Sequence, residues 1–565
     1  MSIPNRAPRA RAVLGHAAGL LAALALTAGA ALTAAATPAA AATGTTYYVD
    51  CSGGADARAG TSPDTAWQSL AKVSATTFQP GDSVLLKSGC TWTGQLWPKG
   101  SGTTAEPITV DSYGSGAQPA IAGGGRVADA VKLFNQSSWT IRGIDVSNMA
   151  PATGTPGANL ADLRGIHVTG DDSQRLGHVL VDGVTVHDVT GEVNWIGGDT
   201  ADDATGVHFQ TGWDRSKKTG GIVFDTTVPD PANPPATPTT LDDITVQHST
   251  ISNTSFAGIV VKQYTGDAPS ATATGWGTRT SASDAAFAPH TNVSIHDNFI
   301  SQAGTDYGCN GVYLTDVRHA TVDHNVVHHA GTSGIETYFA DDVTIQHNEV
   351  YGTVKKAGGA DFNGIDADKA TTAVTLQYNF VHDNGDGILF CQFAFGDVTA
   401  RYNIVARSSR YPLYLHSDKA ATALIHNNTV YNDNGGTSLV YGYGSSLAAH
   451  YTLRDNALYS TTAGAALTTS STITYDTDFY GGATLPIPSG DTHAVKGEAR
   501  FAAPSVSGPY GTADTGPQLD TALGWAPTAG SALIDAGATV TDNGGVDYRG
   551  TSLYHGAPDI GAVEY

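Results

Sequence analysis

The chain has 565 residues, with 29 Lys+Arg against 52 Asp+Glu and a formal net charge of −23. An acidic excess of that size, with no basic patch, argues against nucleic acid as a partner. It also repels a polyanionic glycan unless a cation or local basic groups intervene. Gly is abundant (67) and charged residues make up only 14%, which favours turns and short strands over packed helices.

Arg6, Arg9 and Arg11 precede an apolar, Ala- and Leu-rich run from Val13 to about Ala35, and Ala40-Ala41-Ala42 offers a small-x-small cleavage site. This is the layout of a secretory signal peptide over residues 1–42. A membrane anchor is the competing reading, but Ala and Gly dominate the run and no stop-transfer flank follows. No later segment could span a bilayer, so the mature chain is expected to be secreted, extracellular and monomeric. Export permits disulfides. Cys51 and Cys90 share one N-terminal module, residues 43–134, and are expected to pair.

From about residue 135 one pattern recurs, apolar-x-x-Asn-x-apolar, with Asn298, Asn325, Asn348, Asn379, Asn403, Asn428 and Asn456 at spacings of 27, 23, 31, 24, 25 and 28. A period in this range means stacked supersecondary units. Each unit alternates β-branched and polar residues, with no helical period. Asn side chains at equivalent turns can then hydrogen-bond up the stack as a ladder. Weaker early copies put Gly143, Gly183 and Ser249 at the Asn position.

These coils, roughly Asn135 to Ser460, resemble the pectate-lyase-like right-handed parallel β-helix superfamily. The resemblance implies an all-β solenoid. TYYVDCSGGADARAGTSPDTAWQSLAKV near the start is similar to the entry module of secreted carbohydrate-active β-helix proteins, where a short amphipathic helix caps the first coil. GSALIDAG and DYRGTSLYHGAPDIGAVEY resemble their closing segment, within residues 461–565. Solenoids need capped ends, so both pieces speak for architecture and not for substrate.

A second repeated element is Gly-apolar-x-apolar-x. It runs through Gly165, Gly206, Gly258, Gly311, Gly334, Gly364 and Gly387, with Pro412 in the Gly place at the last copy. Strand alternation turns the residue after Gly inward and the third and fifth positions outward. The outward columns hold His167, His208, Tyr313, Glu336, Asp366 and Tyr414, and beside them Lys262, Tyr338, Asp368, Cys391 and His416. The expected result is an exposed band of His, Lys, Tyr, Glu and Asp on one sheet. An ordinary polar face would not stack Glu on Asp, because like charges on neighbouring strands destabilise a sheet. The register also separates Cys309 from Cys391 by about 14 Å, too far for a disulfide.

This band predicts a polysaccharide or oligosaccharide site. Glu336, Asp366 and Asp368 are the expected catalytic carboxylates of a glycoside hydrolase, which needs no cofactor. His208, Lys262, Tyr313, Tyr338, His416 and Trp276 are the expected substrate-binding residues. Glu336 and Asp366 should have backbones about 5 Å apart and Glu336 and Asp368 about 8 Å, the second spacing favouring inversion. The segment Asp361 to Cys391 partly resembles the catalytic region of polygalacturonases, but Asn363 stands where those enzymes have Asp, Gly387 follows Asp386 in place of a second Asp, and no His-Gly follows. Three alternatives remain open: a uronate lyase, in which the acids bind Ca²⁺ and Lys262 takes a proton, a uronate epimerase, and a non-catalytic glycan-binding solenoid.

Overall fold

The computed structural model describes residues 44–565 apart from 154–162, 191–200, 203–206, 209–218, 231–232, 265–275, 357–358, 360, 437 and 445–446. The expected signal peptide, residues 1–42, lies outside the described residues. Three parallel sheets of 14, 13 and 11 strands wrap one apolar core. Each coil gives one strand to each sheet, and successive coils pair in register, as in Thr321↔Thr344, Val327↔Val350 and Ile335↔Ile365. The architecture is a parallel β-helix, right-handed as parallel crossovers are.

The turn from the first sheet to the second explains the Asn repeat. Its leading residue is left-handed, with φ between 50° and 57° at Asp297, His324, His347, Tyr378 and Tyr402. The Asn that follows is buried, and its Nδ2 donates to the Oδ1 of the next coil's Asn at 2.9–3.0 Å, unbroken from Asn298 to Asn456. Asn456 donates in turn to Asp478 at 2.9 Å. Each Nδ2 also donates to a backbone carbonyl, as Asn379 does to Ile345. Such bonds contribute about 1 kcal/mol each, and losing a partner here costs more than that because the group is buried. In the two earlier coils the expected register is off by one. Gly143 and Gly183 occupy the left-handed position, at φ 63° and 60°, and Ile144 and Val184 hold the ladder place. Val184 meets Ser249 there, its N–H donating to the Ser249 hydroxyl.

The third sheet carries the Gly-apolar element. Its strands are β1 (Asp129–Phe134), β2 (Arg164–Thr169), β3 (Gly220–Asp225), β4 (Phe256–Lys262), β5 (Cys309–Thr315), β6 (Ser333–Tyr338), β7 (Asn363–Ala367), β8 (Asp386–Cys391), β9 (Tyr411–His416), β10 (Ser438–Gly442) and β11 (Ala466–Leu467). Gly opens these strands because the chain bends there against the core. A Cβ on Gly334 would lie 2.4 Å from both the Gly364 carbonyl oxygen and Val350 Cγ1. Ile335, Ile365, Ile388 and Leu413 then stack inward, fully buried.

The ends are closed by different means. Helix α1 (Leu70–Ser74) buries Leu70 and Val73, with the Ser69 hydroxyl accepting from the Lys72 N–H. Cys51 and Cys90 form a disulfide in the same module, and Cys309 and Cys391 are free thiols. After a last coil ending at Gly482, the chain runs back over the second sheet, where Trp525 packs with Phe380, Tyr402 and Tyr431. Glu349, fully buried, accepts from the backbone N–H groups of Gly511 and Gln518 and so fixes this return.

Candidate active site

The alternation of the third sheet holds. Ile365 and Ala367 of β7 point into the core, and the residues between and after them point out. One outward column runs Val260, Tyr313, Glu336, Asp366, Leu389, Tyr414 and Tyr441. In the next, Tyr338 follows Thr315, and Cys391 is followed by His416. Asp368 directly follows β7 between them, its N–H donating to the Thr337 carbonyl.

Exposure differs from the expectation. Lys262, Tyr313, Glu336, Tyr338 and Asp366 are all buried, Glu336 at 0% and Asp366 at 1% relative accessibility. Asp368, Cys391 and His416 are half-buried. The cause is a second apolar cluster on the outside of the sheet. Val223, Phe256, Val260, Tyr313 and Tyr338 pack there with Phe287 and Phe339, and Tyr307 and Phe395 lie against them.

Three expected binding residues do not join the carboxylates. Lys262 lies three strands from Asp366, and its ammonium donates to the Gln263 carbonyl at 3.0 Å. His208 is not on a coil strand. It pairs antiparallel with Ala201, the coil strand at that level being β3, and its side chain lies outside the described residues. Trp276 packs edge-on against Tyr264, ring centroids 5.4 Å apart.

Around Asp366 the acids crowd. Its Oδ2 receives a 3.4 Å contact from Asn363 Nδ2, and its Oδ1 has no hydrogen-bond partner among the described residues. Burial, reinforced by Asp368, Glu336 and Asp361, pushes its carboxyl well above the ordinary range. Glu336 Oε2 accepts from Asn310 Nδ2 at 2.9 Å. Asp361, half-buried and just ahead of β7, is pushed up to about 6 by burial and by Asp386, with Arg410 and Lys355 opposing. Arg410 grips both oxygens of Asp386, its Nε 2.8 Å from Oδ1. The Cys391 thiol is raised too, by burial first and then by Asp368, Asp366 and Asp361. Beyond Asp368 a cavity of about 380 Å³ is lined by Phe339, Lys369, Gln392, Phe395 and Lys419.

Asn310, Asp361, Asn363, Asp386 and Arg410 were not among the expected site residues, although Asn363 and Asp386 entered the comparison with polygalacturonases. Part of the signal was present. From β5 on the residue before the Gly is polar, and Ser333, Asn363, Asp386 and Tyr411 align across β6 to β9 as a third outward column. A metal cage is not evident in this crowd. Among the described residues the one set of three potential ligands within 4.8 Å of one another is Asp50, Cys51 and Cys90, and its two sulfurs form the disulfide.

Residues 239–419 and 310–481 match the family model of the right handed beta helix region. The chain is 26% identical to a lacto-N-biosidase of Bifidobacterium longum subsp. longum, over 92% of this chain and 36% of that protein. It thus spans just over a third of the length of the curated relative it matches. Among solved structures it is similar to a lacto-N-biosidase of family GH136 from Eubacterium ramulus, with a TM-score of 0.55 and 21% identity over 72% of this chain and 66% of that one. The selenomethionine derivative of the same enzyme gives 0.54 and 20%. No helix among the described residues is long and apolar enough to cross a membrane. The chain folds as a right-handed parallel β-helix.

Proposed function

We propose that this protein is a secreted glycoside hydrolase that cuts an oligosaccharide at the carboxylate cluster of β6 to β8, with a lacto-N-bioside as its substrate class. The observation that carries the reading is two half-buried acids, Asp361 and Asp368, flanking a buried, crowded Asp366. Crowded carboxyls cannot all ionise, so the cluster holds at least one proton near neutral pH, as a general acid requires. Asp366 and Glu336 are too deeply covered to reach a sugar. The catalytic pair therefore shifts from the trio expected above to Asp361 and Asp368. Asp361 gives its proton to the leaving glycosidic oxygen as the bond to the anomeric carbon breaks. The Asp368 carboxylate acts at that carbon, directly or through the attacking water, and one water is consumed overall. Burial and the neighbouring Asp386 raise the donor's carboxyl and so help it keep its proton.

The similarity to lacto-N-biosidases supports the substrate class, and the signal-like residues 1–42 support action outside the cell. A uronate lyase with Lys262 as base fits less well, since that ammonium is buried three strands away. The test is release of 4-nitrophenol from p-nitrophenyl lacto-N-bioside. Hydrolysis to saturated sugars that survives a chelator supports the reading. An unsaturated product absorbing in the ultraviolet, or no cleavage by wild type, overturns it. The anomer first formed, read by proton NMR, decides between direct attack and attack through water.

A further inference from the structure

The outward face of the third sheet changes character past β8. Where β6 and β7 carry acids, β9 and β10 carry rings. Tyr411 and Tyr441 stack face to face with centroids 3.9 Å apart and 7° between planes. Tyr414 meets both edge-on at 5.3 Å. His416 lies 4.2 Å from Tyr443 and is nearly parallel to Tyr414. Tyr443 is 51% exposed, one of four large hydrophobic side chains so open to solvent among the described residues. Tyr411, Tyr441 and His416 are half-buried. Core packing does not require this group, because the strand's inward places are already filled by Leu413, Leu415 and Val440.

The group is continuous with the acids. Arg410, held on Asp386, lies over the rings of Phe362, Tyr411 and Tyr414 at 4.3, 4.8 and 5.4 Å. Asp361 senses Arg410 and Asp386, and Tyr414 senses Asp361. A proton donor faces the leaving half of its substrate, because the leaving oxygen takes the proton. We propose that Tyr411, Tyr414, His416, Tyr441 and Tyr443 form a stacking platform for the leaving half of a neutral oligosaccharide, one or two pyranose units beyond the scissile bond. Flat rings with a hydroxyl at the edge suit a pyranose, whose C–H face is apolar and whose rim hydrogen-bonds. The negative net charge disfavours a strongly anionic occupant. The proposal rests on the hydrolase reading for its direction but not for its existence.

Two experiments on the full chain separate these. The first compares kcat/KM on p-nitrophenyl lacto-N-bioside with that on lacto-N-biosides extended by two pyranose units at the reducing side. In Tyr441→Ala/Tyr443→Ala the ratio of extended to aryl substrate should fall about tenfold or more, and Tyr441→Phe/Tyr443→Phe should restore most of it. An unchanged ratio overturns the platform's assignment to the leaving half. The second uses fluorescently labelled chain on an array of neutral oligosaccharides. Binding lost in the Ala double variant and kept in the Phe double variant supports the platform, even if wild type cuts neither substrate and the hydrolase reading fails. No binding by wild type, or equal binding by all three, overturns it.

Discussion

The outer face of the third sheet holds buried charge in two places, and the two are built oppositely. On β1 to β3, His167 sits between Asp129 and Asp225 at 2.9 Å from each, and Arg164 and Lys132 complete the set at 2.5 and 3.2 Å from Asp129. Burial would raise Asp129, but His167 and Arg164 outweigh it and hold the carboxyl far below its usual range. Burial would lower His167, but Asp225 and Asp129 outweigh that and raise it. On β6 to β8 the same columns hold acids together, and burial and mutual repulsion push Asp361 and Asp366 up. The scaffold is common to both, so the difference lies in the partners. Buried charges that are paired stay ionised, and carboxyls crowded with their own kind hold a perturbed acidity that chemistry can use.

Removing one member of each region tests that contrast. Asp368→Asn should lower kcat on the aryl bioside by about 10³-fold or more, as loss of a carboxylate that acts at the reacting carbon does, with little change in thermal midpoint. His167→Ala should do the reverse. It leaves Asp129 and Asp225 buried without their shared partner, and chemical denaturation should show a loss of about 3–5 kcal/mol with kcat unchanged. If His167→Ala abolished activity in folded protein, the division between the two regions would be wrong.

Acidity sharpens the contrast further, because the two regions respond with opposite sign. Asp361 has a folded value raised to about 6, above the ordinary carboxyl near 4 in an unfolded chain. Its contribution to stability is present at low pH and is lost as pH rises from about 4 to about 6. Asp129 and Asp225 are depressed in the folded state. Their contribution is present above the unfolded value and is lost as pH falls below about 4. On the alkaline side kcat/KM should fall with an apparent midpoint near 6, since Asp361 must carry a proton, and Asp361→Asn should abolish that limb along with most activity. The smallest effect is expected at Asp478, another buried acid raised by burial, which receives both the N–H and the Nδ2 of Asn456. Asp478→Asn keeps the acceptor that ends the ladder, so stability should move by no more than about 1 kcal/mol and activity not at all.

The coil repeat was legible because its cause is local. An Asn after a left-handed residue, and a Gly where a Cβ would strike the next coil, leave a period in the chain. Inward Ile335 and Ile365 and outward Glu336 and Asp366 followed from that period and alternation alone. The depth of Glu336 and Asp366 was not legible, because Phe287 and Phe395, which help to cover this face, arrive from connections far away in sequence. Asp361 was missed because it precedes its strand and so lies outside the alternation from which the columns are read. His208 was misplaced because a Gly-Val-His triplet in an excursion imitates the coil pattern, while β3, opening with Gly220-Gly221, supplies the real strand.

The in-register pairing of β7, β8, β9 and β10 gives the molecule a ruler. Any two outward side chains in one column are separated by a whole number of rungs of about 4.8 Å, and Tyr414 and Tyr441 stand two and three rungs from Asp366. A pyranose unit has a length of the same order as a rung. Inserting one coil between β8 and β9 would slide the aromatic group along the axis by one graduation. In a fold that grows by tandem duplication, the reach of the site beyond its cleavage point is thereby a quantity that evolution can change in integer steps.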